Sequence, residues 1–185
     1  MKARNLILIA ALLATVCVAA PRAIAQDGRD YDVKAAYLYN IVNFVTWPPD
    51  AFTGPSDPLH VCIYGMDPFG PLLDRAMQGG TANMRPIIVM RVSDANGLAP
   101  CELVFLPGSN TDRIDQAVRV TAQRPVLTVG EAPDFLRRGG MILLVVDGGR
   151  IRFDVNLPAA SARGLTLSSR LLQVARTVIG KGLGE

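Results

Sequence analysis

The sequence predicts a single three-layer α/β domain, with a mostly parallel central sheet, an antiparallel C-terminal hairpin and helices on both faces. Three observations lead there. Short β-rich runs alternate with amphipathic stretches from residue 59 onward, the order that winds strands into a parallel sheet through helical crossovers. The run MILLVVDGGRIRFDVNL, residues 141–157, sets two strand-like segments around Asp147, Gly148 and Gly149, the turn chemistry of a hairpin. The run VKAAYLYNIVNFVTWPP, residues 33–49, carries apolar residues at helical spacing and then stops at two prolines.

The first 25 residues stand apart. Lys2 and Arg4 precede an apolar run over 6–20, and Ala23-Ile24-Ala25 gives the small-residue pattern of a leader cut after Ala25. The run is too short, and too soon followed by Pro21 and Arg22, to make a good membrane span. Cys17 follows Val16 where a lipid-attachment motif requires a very small residue, so it reads as filler. The expected organisation is a cleaved signal peptide over 1–25 and one exported domain over 26–185, which does not insert in the membrane once the leader is removed.

Removing the leader removes Lys2, Arg4 and Arg22, its only charges, which leaves 16 of the 19 basic residues against 16 acidic ones. The remaining arginines are scattered and form no basic stripe, which argues against a nucleic-acid partner. Two cysteines remain, Cys62 and Cys101. In an oxidising compartment the even count favours a disulfide over two buried thiols, closing a loop of about 40 residues and contributing roughly 3 to 4 kcal/mol.

Along the chain, Val33, Ala36, Tyr37, Ile41, Phe44 and Val45 form the apolar stripe of a first helix, with Asp30 or Asp32 as its cap and Pro48 as its stop. LHVCIYG (59–65) alternates as a strand. DPFGPLLDRAMQGG (67–80) is a short helix with proline at its start and a glycine pair at its end. RPIIVMRVS (85–93) and CELVFLPG (101–108) are strands, and TDRIDQAVRVTAQ (111–123) is a helix capped by Thr111 or Asp112. PVLTVGE (125–131) is a strand and APDFLRRGG (132–140) one or two helical turns. After the hairpin, residues 161–180 read as one last helix with Leu167, Leu171, Val174 and Val178 on a stripe.

Catalytic chemistry is scarce. The single histidine, His60, lies two residues from Cys62, but no further ligands complete a zinc site, so neither metal nor cofactor is expected. No G-x-S-x-G elbow offers a serine to it, and Ser168 and Ser169 sit in a helical pattern. GMDPFG (65–70) lies between a strand and a helix, where phosphate loops occur, yet lacks their lysine and third glycine. Strand alternation puts Arg150, Arg152, Asp154 and Asn156 on one face, a strip able to anchor an anion or a partner's carboxylate; a solvated strand face has the same pattern. The absence of a catalytic constellation points to binding or regulation and away from an enzyme.

Three segments, VKAAYLYNIVNFVTWP, LTVGEAPDFLRRGGMILLVVDGGRIRFDVNL and ARGLTLSSRLLQVARTV, resemble in order and spacing the YfiR-like family of periplasmic proteins. The strand VCIYGMDPFG and Cys101 ahead of LVFLPG extend the likeness over nearly the whole exported chain. The resemblance implies a repressor that binds the periplasmic domain of an inner-membrane diguanylate cyclase, lowering cyclic di-GMP and biofilm formation. It also implies an OmpA-like outer-membrane lipoprotein as a possible second partner, and a possible homodimer. Members of the type carry four cysteines in two bridges after export; here the exported chain keeps only Cys62 and Cys101, and the bridge near the hairpin has none. In this reading Tyr39, Asn43 and Trp47, off the apolar stripe, are candidates for a partner surface; the alternative for Trp47 is a plug at the sheet edge. The rival reading is a periplasmic small-molecule or peptidoglycan-fragment binder serving a sensor kinase or uptake system. It would use the crevice at 65–70 and the arginines of the hairpin.

Overall fold

The computed structural model describes residues 22–180, with side chains from residue 30 onward. Most of the expected leader lies outside the described residues. The first helix, α1 (Arg22–Asn43), already includes Asp30 and Asp32, so neither caps it. The apolar residues it buries are Ala35, Leu38, Ile41 and Val42, while Val33 and Ala36 face solvent. The buried stripe is therefore rotated from the expected one, because the Ala35, Leu38, Ile41 and Val42 set offers one continuous apolar face to the sheet. The helix also ends earlier than Pro48 requires. Strand β1 (Val45–Thr46) leaves it to pair antiparallel with β9 (Thr166–Leu167).

The main sheet has eight strands. From one edge they are β10 (Thr177–Ile179), β8 (Arg150–Asn156), β7 (Ile142–Asp147), β6 (Leu127–Gly130), β5 (Leu103–Leu106), β2 (Leu59–Tyr64), β4 (Arg85–Val92) and β3 (Thr81–Ala82). Pairing is parallel from β7 through β4 and between β10 and β8, and antiparallel at the β7–β8 hairpin and at β3–β4. The fold is thus α/β with a large mixed sheet. Gly148 and Gly149 turn the hairpin with φ of 57° and 73°, values that suit a two-residue loop matching the strand twist.

Alternation along the central strands sends side chains into two apolar clusters. Leu59, Val61, Ile63, Leu103, Phe105, Leu127 and Val129 join α1 and α2 (Pro71–Met77) through Leu38, Ile41, Leu73 and Met77. Their neighbours Cys62, Tyr64, Val104 and Leu106 join Ile114 and Ala117 of α3 (Thr111–Val120) and Phe135 of the following turn. Each fully buried Leu, Ile or Phe contributes roughly 1.5 to 3 kcal/mol, so the two clusters hold the sheet in place.

Three expectations are corrected. Asn110, not Thr111 or Asp112, caps α3, its side chain accepting from the Arg113 amide at 2.9 Å. Residues 132–140 form a run of turns and no helix. Phe135 drives them inward, and a Cβ at Gly130 or Gly140 would lie 2.7 or 2.3 Å from its ring, so glycine is required at both. The predicted last helix is broken into α4 (Leu157–Ser161), β9, α5 (Ser169–Val174) and β10. Gly164 at φ 72° and the Ser168 cap, which accepts from the Leu171 amide at 3.2 Å, interrupt it. Leu165, Leu167 and Leu171 are buried, whereas Val174 of the expected stripe is exposed.

Candidate functional site

The described residues carry polar chemistry in three places. At the amino end of the sheet, Cys62 of β2 and Cys101, just before β5, form a disulfide with Cα atoms 5.9 Å apart. The next residue, Glu102, accepts from the His60 main-chain amide at 2.7 Å and lies 3.2 Å from His60 Nδ1. Burial raises the Glu102 carboxyl above the usual carboxylate range, and the His60 contacts oppose that shift. The Glu102 carbonyl accepts from the Trp47 indole at 3.3 Å.

Trp47 is only 6 % exposed. The partner-surface reading of this residue therefore lacks the exposure it needs, and Trp47 packs into the core just after β1. Of its two companions, Tyr39 is half-buried over Gly80, and Asn43 is exposed with its amide donating to the Tyr39 carbonyl at 2.8 Å.

At the carboxyl end, the expected crevice beside residues 65–70 is narrowed by an aromatic plug. Phe69 is buried, with Tyr31 edge-on at 5.2 Å and Phe105 at 5.0 Å. Gly65 is closed off by Arg113, whose guanidinium lies over the Tyr64 ring at 5.4 Å. Beside this plug, Glu131 collects Tyr31 Oη at 2.9 Å, Lys34 Nζ at 2.5 Å and the Gly108 amide at 2.6 Å. Lys34 is 8 % exposed, so this ion pair is a buried one that ties α1 to the ends of β5 and β6. It forms one wall of an open cleft of about 480 Å³ that also takes in Leu144, Val145 and Val146.

The hairpin is the third place. As alternation requires, Ile151, Phe153 and Val155 are buried. Tyr37 of α1 donates to the Ile151 carbonyl at 2.8 Å and meets Phe153 edge-on at 6.0 Å. The opposite face divides. Arg150 and Arg152 are exposed and enter none of the described ion pairs. Asp154 is held by Arg176, with Nε at 2.8 Å. Asn156 is fully engaged, accepting from the Ala159 amide at 3.1 Å as the cap of α4 and donating to the Leu136 carbonyl at 3.2 Å. The anion-binding expectation thus keeps Arg150 and Arg152 as available groups, while Asn156 is committed to the fold.

Sequence reasoning missed Glu102, Glu131 and Lys34. Glu131 directly follows a strand at its carboxyl end, a position that sheet logic marks as a site. Glu102 gives no signal of its own in the sequence. Among the described residues, no group of three or more His, Cys, Asp or Glu is placed to hold a metal, and no helix is long and apolar enough to cross a membrane.

The fold is similar to two solved structures. One is an ABC domain from Streptococcus pneumoniae in complex with L-Trp, at 13 % identity and TM-score 0.54 over 78 % of this chain. The other is a conserved domain protein from Vibrio cholerae O1 biovar El Tor, at 12 % identity and TM-score 0.55 over 80 %. This chain spans 60 % of the length of each. Residues 31–176, from the middle of α1 to the arginine that holds Asp154, match the YfiR/HmsC-like profile, and the chain belongs to the YfiR/HmsC-like family.

Proposed function

We propose that this protein is a periplasmic regulator that binds the periplasmic domain of an inner-membrane diguanylate cyclase and holds that enzyme in its low-activity state. The observation that carries the reading is the family match over 31–176, which spans both the helix that opens the domain and the hairpin. The mechanism is a population shift: repression requires tighter binding to the inactive sensor conformation than to the active one. We assign the contact to the exposed hairpin arginines Arg150 and Arg152, with Asn43 and the half-buried Tyr39 of α1 as further candidates. Arginine suits this role because its planar fork pairs bidentately with a partner's carboxylates.

The rival, a small-molecule or peptidoglycan-fragment binder, would use the crevice at 65–70 and the hairpin arginines, Arg150 and Arg152, which are exposed. Within that stretch the Phe69 ring packs between Tyr31 and Phe105, which leaves less room for a ligand there.

Deleting the gene and measuring cellular cyclic di-GMP tests the reading. A rise that the intact gene reverses is expected. An unchanged level in the deletion strain would overturn it.

A further inference from the structure

The arginines that meet carboxylates in this fold do so with clear geometry. Arg91 reaches Asp67 and Asp74, Arg138 reaches Asp115 and Asp134, and Arg176 reaches Asp154. Arg163 differs. It lies in the turn after α4, half-buried, and its guanidinium meets only neutral acceptors at long range: Thr121 Oγ1 at 3.3 Å and the Val118 carbonyl at 3.4 Å. Burial lowers its pKa, and no carboxylate offsets that effect.

Arg163 lines a cleft of about 300 Å³ together with Arg124, whose guanidinium is likewise spent on main-chain carbonyls, those of Leu98 at 2.7 Å and of Ala99. Pro48, Asp50 and Gly164 are among the other residues of its wall. Asp50 is exposed and forms no ion pair with either arginine among those described. Gly164 adopts φ 72°, and a Cβ there would touch Pro48 Cγ at 3.4 Å, so the two turns that form the cleft lie close together. Two arginines therefore share a concave site whose one carboxylate, the exposed Asp50, pairs with neither of them among the described ion pairs, and five N–H donors on Arg163 meet two acceptors.

We propose that this cleft binds a carboxylate, with Arg163 as the principal contact and Arg124 as the second positive group. Its volume is at the low end of ligand sites, so it fits a small organic acid or a single acidic side chain of a partner protein and excludes a nucleotide. The site is separate from the hairpin arginines and does not depend on the regulatory reading.

Calorimetric titration of the exported chain tests it, with three probes: succinate, its neutral analogue succinamide, and a capped peptide containing one glutamate. Saturable binding of succinate or the peptide is expected, with none of succinamide. Arg163→Gln should weaken binding at least about tenfold, since a charge-assisted fork is lost. Arg137→Gln, at an exposed site elsewhere, should change it less than about twofold. Tighter binding of succinate identifies a free acid as the ligand, and tighter binding of the peptide identifies a partner's side chain. Failure of both acids to bind below about 10 mM would overturn the proposal, as would unchanged binding by folded Arg163→Gln. If Arg163→Gln does not fold, Arg124→Gln carries the same expectation and the same refutation.

Discussion

The amino end of the sheet and the face of the hairpin both present polar residues beside an apolar core, yet they are built to opposite ends. At the amino end, Trp47, Glu102 and His60 satisfy one another next to the Cys62–Cys101 bridge, and Trp47 is buried. On the hairpin, Arg150 and Arg152 stand in solvent without a described ionic partner. Internal satisfaction marks a structural device, because buried polar groups destabilise the fold unless they are paired. Unspent charge on a rigid strand marks a surface available to another molecule. An aromatic residue near a helix end is therefore weak evidence for an interface until its burial is known.

The largest effects should come from the amino end. Trp47→Ala removes a buried indole from beside β1 and should destabilise the protein by about 3 to 5 kcal/mol in chemical unfolding. A loss below about 1 kcal/mol would return Trp47 to the surface and erase the contrast. Replacing both Cys62 and Cys101 with alanine should cost roughly 3 to 4 kcal/mol, as should reduction of the bridge. Unchanged unfolding with and without reductant would show that the bridge constrains nothing.

A smaller effect concerns pH. Burial raises the Glu102 carboxyl above 4.5, so the folded protein holds that proton more tightly than the unfolded chain does. Its contribution to stability is then fully present below 4.5 and is lost as pH rises through the raised value. Glu102→Gln cannot ionise, so its urea midpoint should gain on the wild type as pH rises from below 4.5 through the raised value. A difference that stays constant as pH rises would mean that the His60 contacts fully compensate the buried charge.

The two regions also differ in how much of each was legible in the sequence. Strands β2, β4, β5 and β6 and the hairpin were legible because period-2 alternation and the Gly148-Gly149 turn act locally. The break of the C-terminal segment was not. Leu167, Leu171, Val174 and Val178 have a helical period, but pairing of Thr166 with Thr46 and of Val178 with Val155 overrides it, and those partners lie far away in sequence. The disulfide was legible from cysteine count, whereas its neighbour Glu102 was not, because burial of one carboxylate depends on tertiary packing. Likewise the exposure of Arg150 and Arg152 follows from alternation, while the engagement of Asn156 depends on the turn into α4. For Trp47, a place off the apolar stripe suggested a partner surface, and only its tertiary packing in the core shows that it is enclosed.

The smallest effect on stability should accompany the largest effect on function. Arg150→Glu combined with Arg152→Glu changes exposed residues only and should leave the unfolding free energy within about 0.5 kcal/mol per site. The decisive measurement is cellular cyclic di-GMP in a deletion strain complemented with this folded double variant, beside one complemented with the intact gene. The account predicts that the intact gene lowers cyclic di-GMP and that the charge-reversed protein does not. Full repression by the double variant would contradict the assignment of the hairpin face as the docking surface.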